Sequence, residues 1–184
     1  KVVDMRAGLG YAFCGNSIKN RLLRSFYRLG LRSADKVIVL NKSNYNTIVD
    51  RYVDRDKLIL FHGGEGVNME EYPYREDHFE EPHFLMIARL LYDKGYKEFV
   101  EAAKIVKESY PNVHFELLGG FSEDSPTGVS KETLSEDVKT GIIEYLGTTD
   151  DVPSVVLRDG VVVVVASYYM EGMNRALMEA CSMG

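Results

Sequence analysis

Five consecutive valines, Val161 to Val165, followed by Ala166, constrain the fold more than any other stretch of the chain. A β-strand turns alternate side chains to opposite faces, so a strand without polar residues has no face to give to water. Similar, mostly apolar runs recur at HFLMIA (83–88), HFELLG (114–119) and IIEYLG (142–147). Helical spacing separates them. Phe99, Ala102, Ala103 and Val106 mark a helix from Lys94 to about Tyr110, and a weaker pattern covers 131–140. A short helix is expected from about Asp151 to Arg158, and a last one from about Gly172. Continuous apolar strands alternating with helices require a parallel sheet covered on both faces. The class is α/β, on the plan of a doubly wound nucleotide-binding fold.

The first 60 residues read as the end of a similar unit. VVDM (2–5), VIVLN (37–41) and LILF (58–61) are strands, 17–34 and 43–52 are helices, and RAGLGYAFCGN is a glycine-bearing loop. The glycine-rich turn from Gly63 to Asn68 is the expected junction, because glycine permits the backbone angles that a crossing needs. The division is therefore 1–61, the C-terminal part of one Rossmann-like domain, and 62–184, most of a second. Charge divides similarly: residues 1–60 hold 12 Lys and Arg against 5 Asp and Glu (+7), and residues 61–184 hold 10 against 23 (−13). Such asymmetry points to different partners for the two regions.

No run approaches the roughly 20 apolar residues of a membrane span. Cys14 and Cys181 have no metal or redox spacing, which fits a reducing, cytoplasmic setting. His62, His78, His83 and His114 form no HxH or HExxH cluster, so no metal is expected.

Two segments carry chemistry. In an open α/β sheet, ligands bind beyond the carboxyl ends of the strands, where helix N-termini present N–H groups. In SYYMEGMNRALMEACSMG (167–184), the backbone of Gly172, Met173 and Asn174 is expected to open a helix and to hold phosphate, with Glu171 at its mouth. At about 100° per residue, Glu179 would stand some 80° round and about 12 Å further along, a separation that suits the two ends of a nucleotide sugar. The plainer reading is a helix with ordinary acids, one of them near the positive N-terminus. In MIARLLYDKGYKEFV (86–100), Arg89 leaves a strand and Lys94 precedes the next helix, so both cations reach the same edge and can neutralise a diphosphate. The alternative there is a solvated loop with scattered charges.

Taken in order, GGEGVN, R-x4-K-G and E-x7-E resemble the retaining glycosyltransferases of the GT-B fold, family 4. GLGYAF, FLMIARLLYDKGYKEFVEAA, IEYLGTTDDVPSV and SYYMEGMNRALMEACSMG are most similar to the branch that builds bacterial capsular and lipid-linked glycans. The resemblance implies that Arg89 and Lys94 bind the donor diphosphate, that Glu171 contacts the donor sugar near its reacting face, and that Glu179 holds the ribose hydroxyls. It gives residues 172–174 N–H contacts to phosphate and sugar, and places Gly8, Gly10 and Tyr11 in an acceptor-side loop at the cleft. Ala88, Asn68, Ala166 and Met170 depart from frequent family residues; a basic residue is common in place of Met170. The family's enzyme is longer, so the chain is expected to be a fragment, inactive alone. The implied activity is transfer from a nucleotide sugar, a UDP-sugar, to a hydroxyl of a polyprenyl-diphosphate-linked glycan, without cofactor or metal. A sugar-nucleotide epimerase of the same fold and a non-catalytic binding module remain as alternatives.

One feature stands apart. In IKNRLLRSFYRLGLRSADK (18–36), Arg21, Arg24, Arg28 and Arg32 share about 80° of a helical wheel, opposite Leu22, Leu23, Phe26 and Tyr27. Such a helix either lies over a core with a solvated basic face or touches an anionic membrane, the inner face of the plasma membrane for a cytoplasmic protein. Nucleic acid fits less well, because the aromatics lie opposite the arginines and the rest of the chain is acidic.

Overall fold

The computed structural model describes residues 1–13, 15–76, 81–122, 124–168 and 171–184, with the side chain of Tyr11 excepted. The chain divides into two compact units. One comprises Lys1–Gly66 with Tyr169–Arg175, the other Val67–Tyr168 with Ala176–Gly184.

In the first unit, strands β1 (Val3–Arg6), β2 (Lys36–Val39) and β3 (Leu58–Leu60) form a parallel sheet in that order. Helix α1 (Ile18–Ser33) starts at Ser17, whose hydroxyl accepts the Asn20 amide at 3.1 Å. Helix α2 (Lys42–Ile48) starts at Asn41, whose side-chain oxygen accepts the Asn44 amide at 2.7 Å. A short polar side chain at these positions satisfies an amide that has no partner inside the helix. Leu31, Val37, Val39, Ile48, Val53 and Leu58 make the core. Helix α1 differs from expectation in what it buries. Leu31 and Asn20 face inward, whereas Leu22, Leu23 and Phe26 are exposed.

The second unit is a four-stranded parallel sheet, ordered β6 (Glu144–Tyr145), β5 (His114–Leu118), β4 (His83–Ile87), β7 (Val161–Val163). Helix α3 (Tyr96–Ser109) buries Tyr96, Phe99, Val100 and Ala103, the i, i+3, i+4, i+7 stripe of a helix on a core. Helices α4 (Lys131–Lys139), α5 (Val152–Val156) and α6 (Arg175–Met183) complete the series. Ser130 and Asp151 cap the first two of these by accepting the Thr133 and Ser154 amides.

The valine run supplies a strand of only three residues. Among the described residues β7 pairs with β4 alone, and Val162 and Val165 are exposed. In the middle of β5, Glu116 is only 3% exposed. The Arg158 guanidinium grips its carboxylate through both terminal nitrogens, and His83 Nδ1 lies 3.1 Å from it. Burial works against the charge, but these hydrogen bonds hold the Glu116 carboxyl below its ordinary value.

Candidate functional site

The strand order of the second unit locates a ligand edge. The chain runs outward from β4 through β5 to β6 and then returns to the other side of β4 with β7, so the order reverses between β4 and β7. In open α/β sheets the crevice at the carboxyl ends of such a strand pair is where ligands bind.

The loop leaving β4 occupies that edge. The Ala88 amide donates to the Leu118 carbonyl at 3.0 Å and the Leu90 amide to that of Gly120 at 2.9 Å, which fixes the chain on either side of Arg89. Arg89 is exposed, and Lys94 closes a single 3-10 turn, Tyr92–Lys94, half-buried. Gly95 follows at φ +86°, a left-handed conformation that suits glycine. A β-carbon there would lie 2.4 Å from the Ala166 carbonyl oxygen, so the loop presses directly on the chain leaving β7. The Asp93 carbonyl adds a hydrogen bond from the Tyr168 amide at 3.2 Å. Burial, and then the positive field of Arg89, push the Lys94 ammonium below the usual lysine range. Two cations that disfavour each other at a ligand edge are stabilised by an anion between them.

Glu179 lies in the same unit, on α6, and is buried at 7% exposure. Glu171, Gly172, Met173 and Asn174 belong to the first unit. Glu171 pairs with Gly8 in an antiparallel bridge. Gly172 packs so closely on β1's exit that a β-carbon would sit 1.9 Å from the Ala7 carbonyl oxygen. The Asn41 side-chain amide donates to the Glu171 carbonyl at 2.9 Å and also to that of Gly172, and Asn44 adds a donor to Glu171 at 3.2 Å. The Asn174 side-chain amide donates to the Glu171 carboxylate at 3.0 Å. Backbone 171–172 is thus pinned by a helix cap, and the Glu171 carboxylate is oriented from its own loop.

One expectation is corrected. Helix α6 begins at Arg175, so residues 172–174 precede the helix instead of opening it. The wheel separation between Glu171 and Glu179 therefore has no meaning, because Glu171 is not helical. A glycine and an asparagine before the first turn favour irregular backbone, which explains the later start. Gly10 follows the expected loop at φ +68°, while the side chain of Tyr11, and Met170, lie outside the described residues. Asn41 and Asn44 were missed. Their N-x-x-N spacing after an apolar strand was the available signal, and it reads first as a helix cap. Among the described residues no three His, Cys, Asp or Glu gather as metal ligands.

The family model described as glycosyl transferases group 1 matches residues 69–184. The chain belongs to that family. Similarity to individual proteins extends over nearly the whole chain. An N,N'-diacetylbacillosaminyl-diphospho-undecaprenol alpha-1,3-N-acetylgalactosaminyltransferase of Campylobacter jejuni is 29% identical over 194 residues, covering 96% of this chain and 49% of the relative. The chain thus spans about half the length of that curated relative. Anabaena HepE, solved with UDP-glucose, superposes with a TM-score of 0.72 at 16% identity, over 98% of this chain and 50% of the other. The pneumococcal O-GlcNAc transferase GtfA, solved with UDP and GlcNAc, gives a TM-score of 0.66 at 16% identity, over 98% and 35%. These likenesses establish the fold, which is of the GT-B type.

Proposed function

We propose that this group 1 chain supplies the donor-handling part of a retaining glycosyltransferase. The reaction moves a sugar from a UDP-sugar to a hydroxyl of a lipid-linked glycan. The observation that carries the reading is the Arg89–Lys94 pair at the sheet's reversal point, where Lys94 is held at a charge disadvantage that a diphosphate would relieve. Support comes from the Campylobacter jejuni relative, whose name specifies a diphospho-undecaprenol, and from HepE, solved with UDP-glucose, and GtfA, solved with UDP and GlcNAc.

The roles follow from charge and place. Breaking the bond between sugar and diphosphate leaves negative charge on the departing phosphate, and preorganised cations lower that barrier. Arg89 offers a planar fork and Lys94 a compact charge, so they serve as the electrostatic stabilisers. Glu179, on the same unit, holds the ribose hydroxyls. Glu171 contacts the donor sugar, with its loop shaped by Asn41 and Asn44. Gly172, Met173 and Asn174 present amides to phosphate and sugar, and the Gly8–Tyr11 loop serves the acceptor side. The fixed cations do the work that a metal ion would otherwise do.

The test is incubation of the full-length protein with a panel of UDP-sugars, with and without a polyprenyl-diphosphate-linked glycan, the product being read by NMR. Transfer that requires both substrates, with the donor's anomeric configuration kept, is the expected result. Conversion of the donor alone would identify an epimerase instead. Binding without any product would reduce the chain to a nucleotide-sugar module.

A further inference from the structure

The chain between β5 and α4, described at 119–122 and 124–130, runs alongside the loop that leaves β4. Phe121 bridges Leu90 in the parallel sense, and Gly128 bridges Leu91 in the antiparallel sense. The Leu90 amide donates to the Gly120 carbonyl at 2.9 Å, and the Leu90 carbonyl accepts the Val129 amide at 3.0 Å. The Tyr92 amide donates to the Thr127 carbonyl at 2.8 Å. Leu90 directly follows Arg89, and Tyr92 opens the turn that ends at Lys94. Leu90, Leu91 and Val129 are buried around these bonds. The backbone between the two cations is therefore strapped down by residues 120–129.

The strap is itself a tightly closed turn. The Ser125 amide donates to the Ser122 carbonyl and the Gly128 amide to the Ser125 carbonyl, both at 3.0 Å. Between them the Ser125 hydroxyl lies 3.3 Å from the Thr127 hydroxyl and accepts the Thr127 amide at 3.4 Å. A β-carbon on Gly128 would lie 2.6 Å from the Ser122 carbonyl oxygen and 3.2 Å from that of Ser125. Both are backbone atoms, so a side chain at 128 can be admitted only by moving the turn. Its immediate neighbours are the Thr127 carbonyl and the Val129 amide, the groups that hold Tyr92 and Leu90.

We infer that Gly128 is a positioning residue for the donor diphosphate: by letting the 122–128 turn close, it sets the backbone between Arg89 and Lys94 and so the placement of both cations. The inference rests on the proposed function, which gives those cations a diphosphate to hold. An anion that meets a mobile loop has to order it on binding, whereas a fixed backbone offers both charges already in place. The role asks for no contact between Gly128 and the donor.

The experiment is titration of the full-length protein and its Gly128→Ala variant with UDP and with uridine, which lacks the diphosphate. UDP should bind about tenfold more weakly to the variant, as for one lost charge-assisted hydrogen bond, and uridine equally to both proteins. In an Arg89→Ala, Lys94→Ala background the same change should move UDP affinity by less than about twofold, because its effect passes through those side chains. A loss of UDP affinity that persists in that background, or a matching loss of uridine affinity, would make Gly128 merely structural and overturn the inference. Wild-type UDP affinity in Gly128→Ala would overturn it as well. Should that variant not fold, Ser125→Ala with Thr127→Val loosens the same turn without a clash, and the same comparisons decide. Hydrogen exchange at the Leu90 and Tyr92 amides needs no ligand: it should quicken in the variant, and unchanged exchange would refute the strap. UDP affinity unmoved by Arg89→Ala and Lys94→Ala would refute the proposed function instead, a failure told apart by exchange that still quickens.

Discussion

At the scale of single residues, Lys94 and the two glutamates carry the sharpest expectations. Arg89→Ala and Lys94→Ala in the full-length enzyme should each weaken UDP binding about 10- to 100-fold, the worth of a charge-assisted hydrogen bond of roughly 1.5–3 kcal/mol, with little change in thermal unfolding. Isothermal titration decides it. The pH dependence has a definite sign. Burial and Arg89 make Lys94 lose its proton at lower pH than an ordinary lysine, and a bound diphosphate favours the charged form. UDP affinity should therefore fall as pH rises into the alkaline range, and Lys94→Arg, which stays charged, should flatten that fall. Glu171→Gln should lower turnover more than donor affinity, because the contact proposed for it is to the sugar at the breaking bond. Glu179→Gln should raise the donor's apparent KM and the inhibition constant of UDP, which lacks the sugar. If both changes stay within about 0.5 kcal/mol, the two acids are structural. The wheel argument that first paired them fails because Glu171 lies outside the helix, whereas their order along the chain was legible from the sequence.

At the scale of elements, what the sequence shows and hides follows from where packing decides. Strands β4 and β5 are legible because runs so largely apolar, FLMI in one and F-LL around Glu116 in the other, admit no half-exposed alternative. The same logic overreads the valine run, since a run of one residue type carries no register and an edge strand pairs only as far as its neighbour reaches. Helix α1 holds apolar residues on two arcs, Leu31 with Tyr27 and Leu22 with Phe26, and a wheel cannot tell which meets the core. Glu116 in HFELLG was the overlooked sign of a buried ion pair, because a charge inside a covered strand has to find a partner. Glu116→Ala should cost about 2 kcal/mol by denaturant unfolding. That is below the 3–5 kcal/mol of a fully enclosed pair, because Arg158 is half-exposed and can turn to water. With its folded pKa depressed, Glu116 stabilises the protein above the ordinary carboxyl range and loses this effect as pH falls through the lower, folded value. Acid unfolding of the wild type should therefore steepen below about pH 4, and the Glu116→Ala variant should lack that component.

At the scale of the whole molecule, charge is unevenly divided, with an excess of Lys and Arg in residues 1–60 and of Asp and Glu in residues 61–184. Two fixed cations at the ligand edge of the second sheet predict that transfer survives exhaustive chelation, as measured with radiolabelled donor after dialysis against EDTA. Activity lost in chelator and restored by magnesium or manganese would refute the electrostatic role given to Arg89 and Lys94. The parallel topology also sets an order of events. Strand β4 can pair with β5 as soon as α3 has formed, but its other neighbour is the distant β7, whose valines must be made and must close a long loop before the pair exists. The seat for Gly95 is the carbonyl of Ala166, just past those valines. A nascent chain can therefore own most of its second core and still lack the ledge that presents Lys94, so the proposed donor edge is completed late as this unit folds.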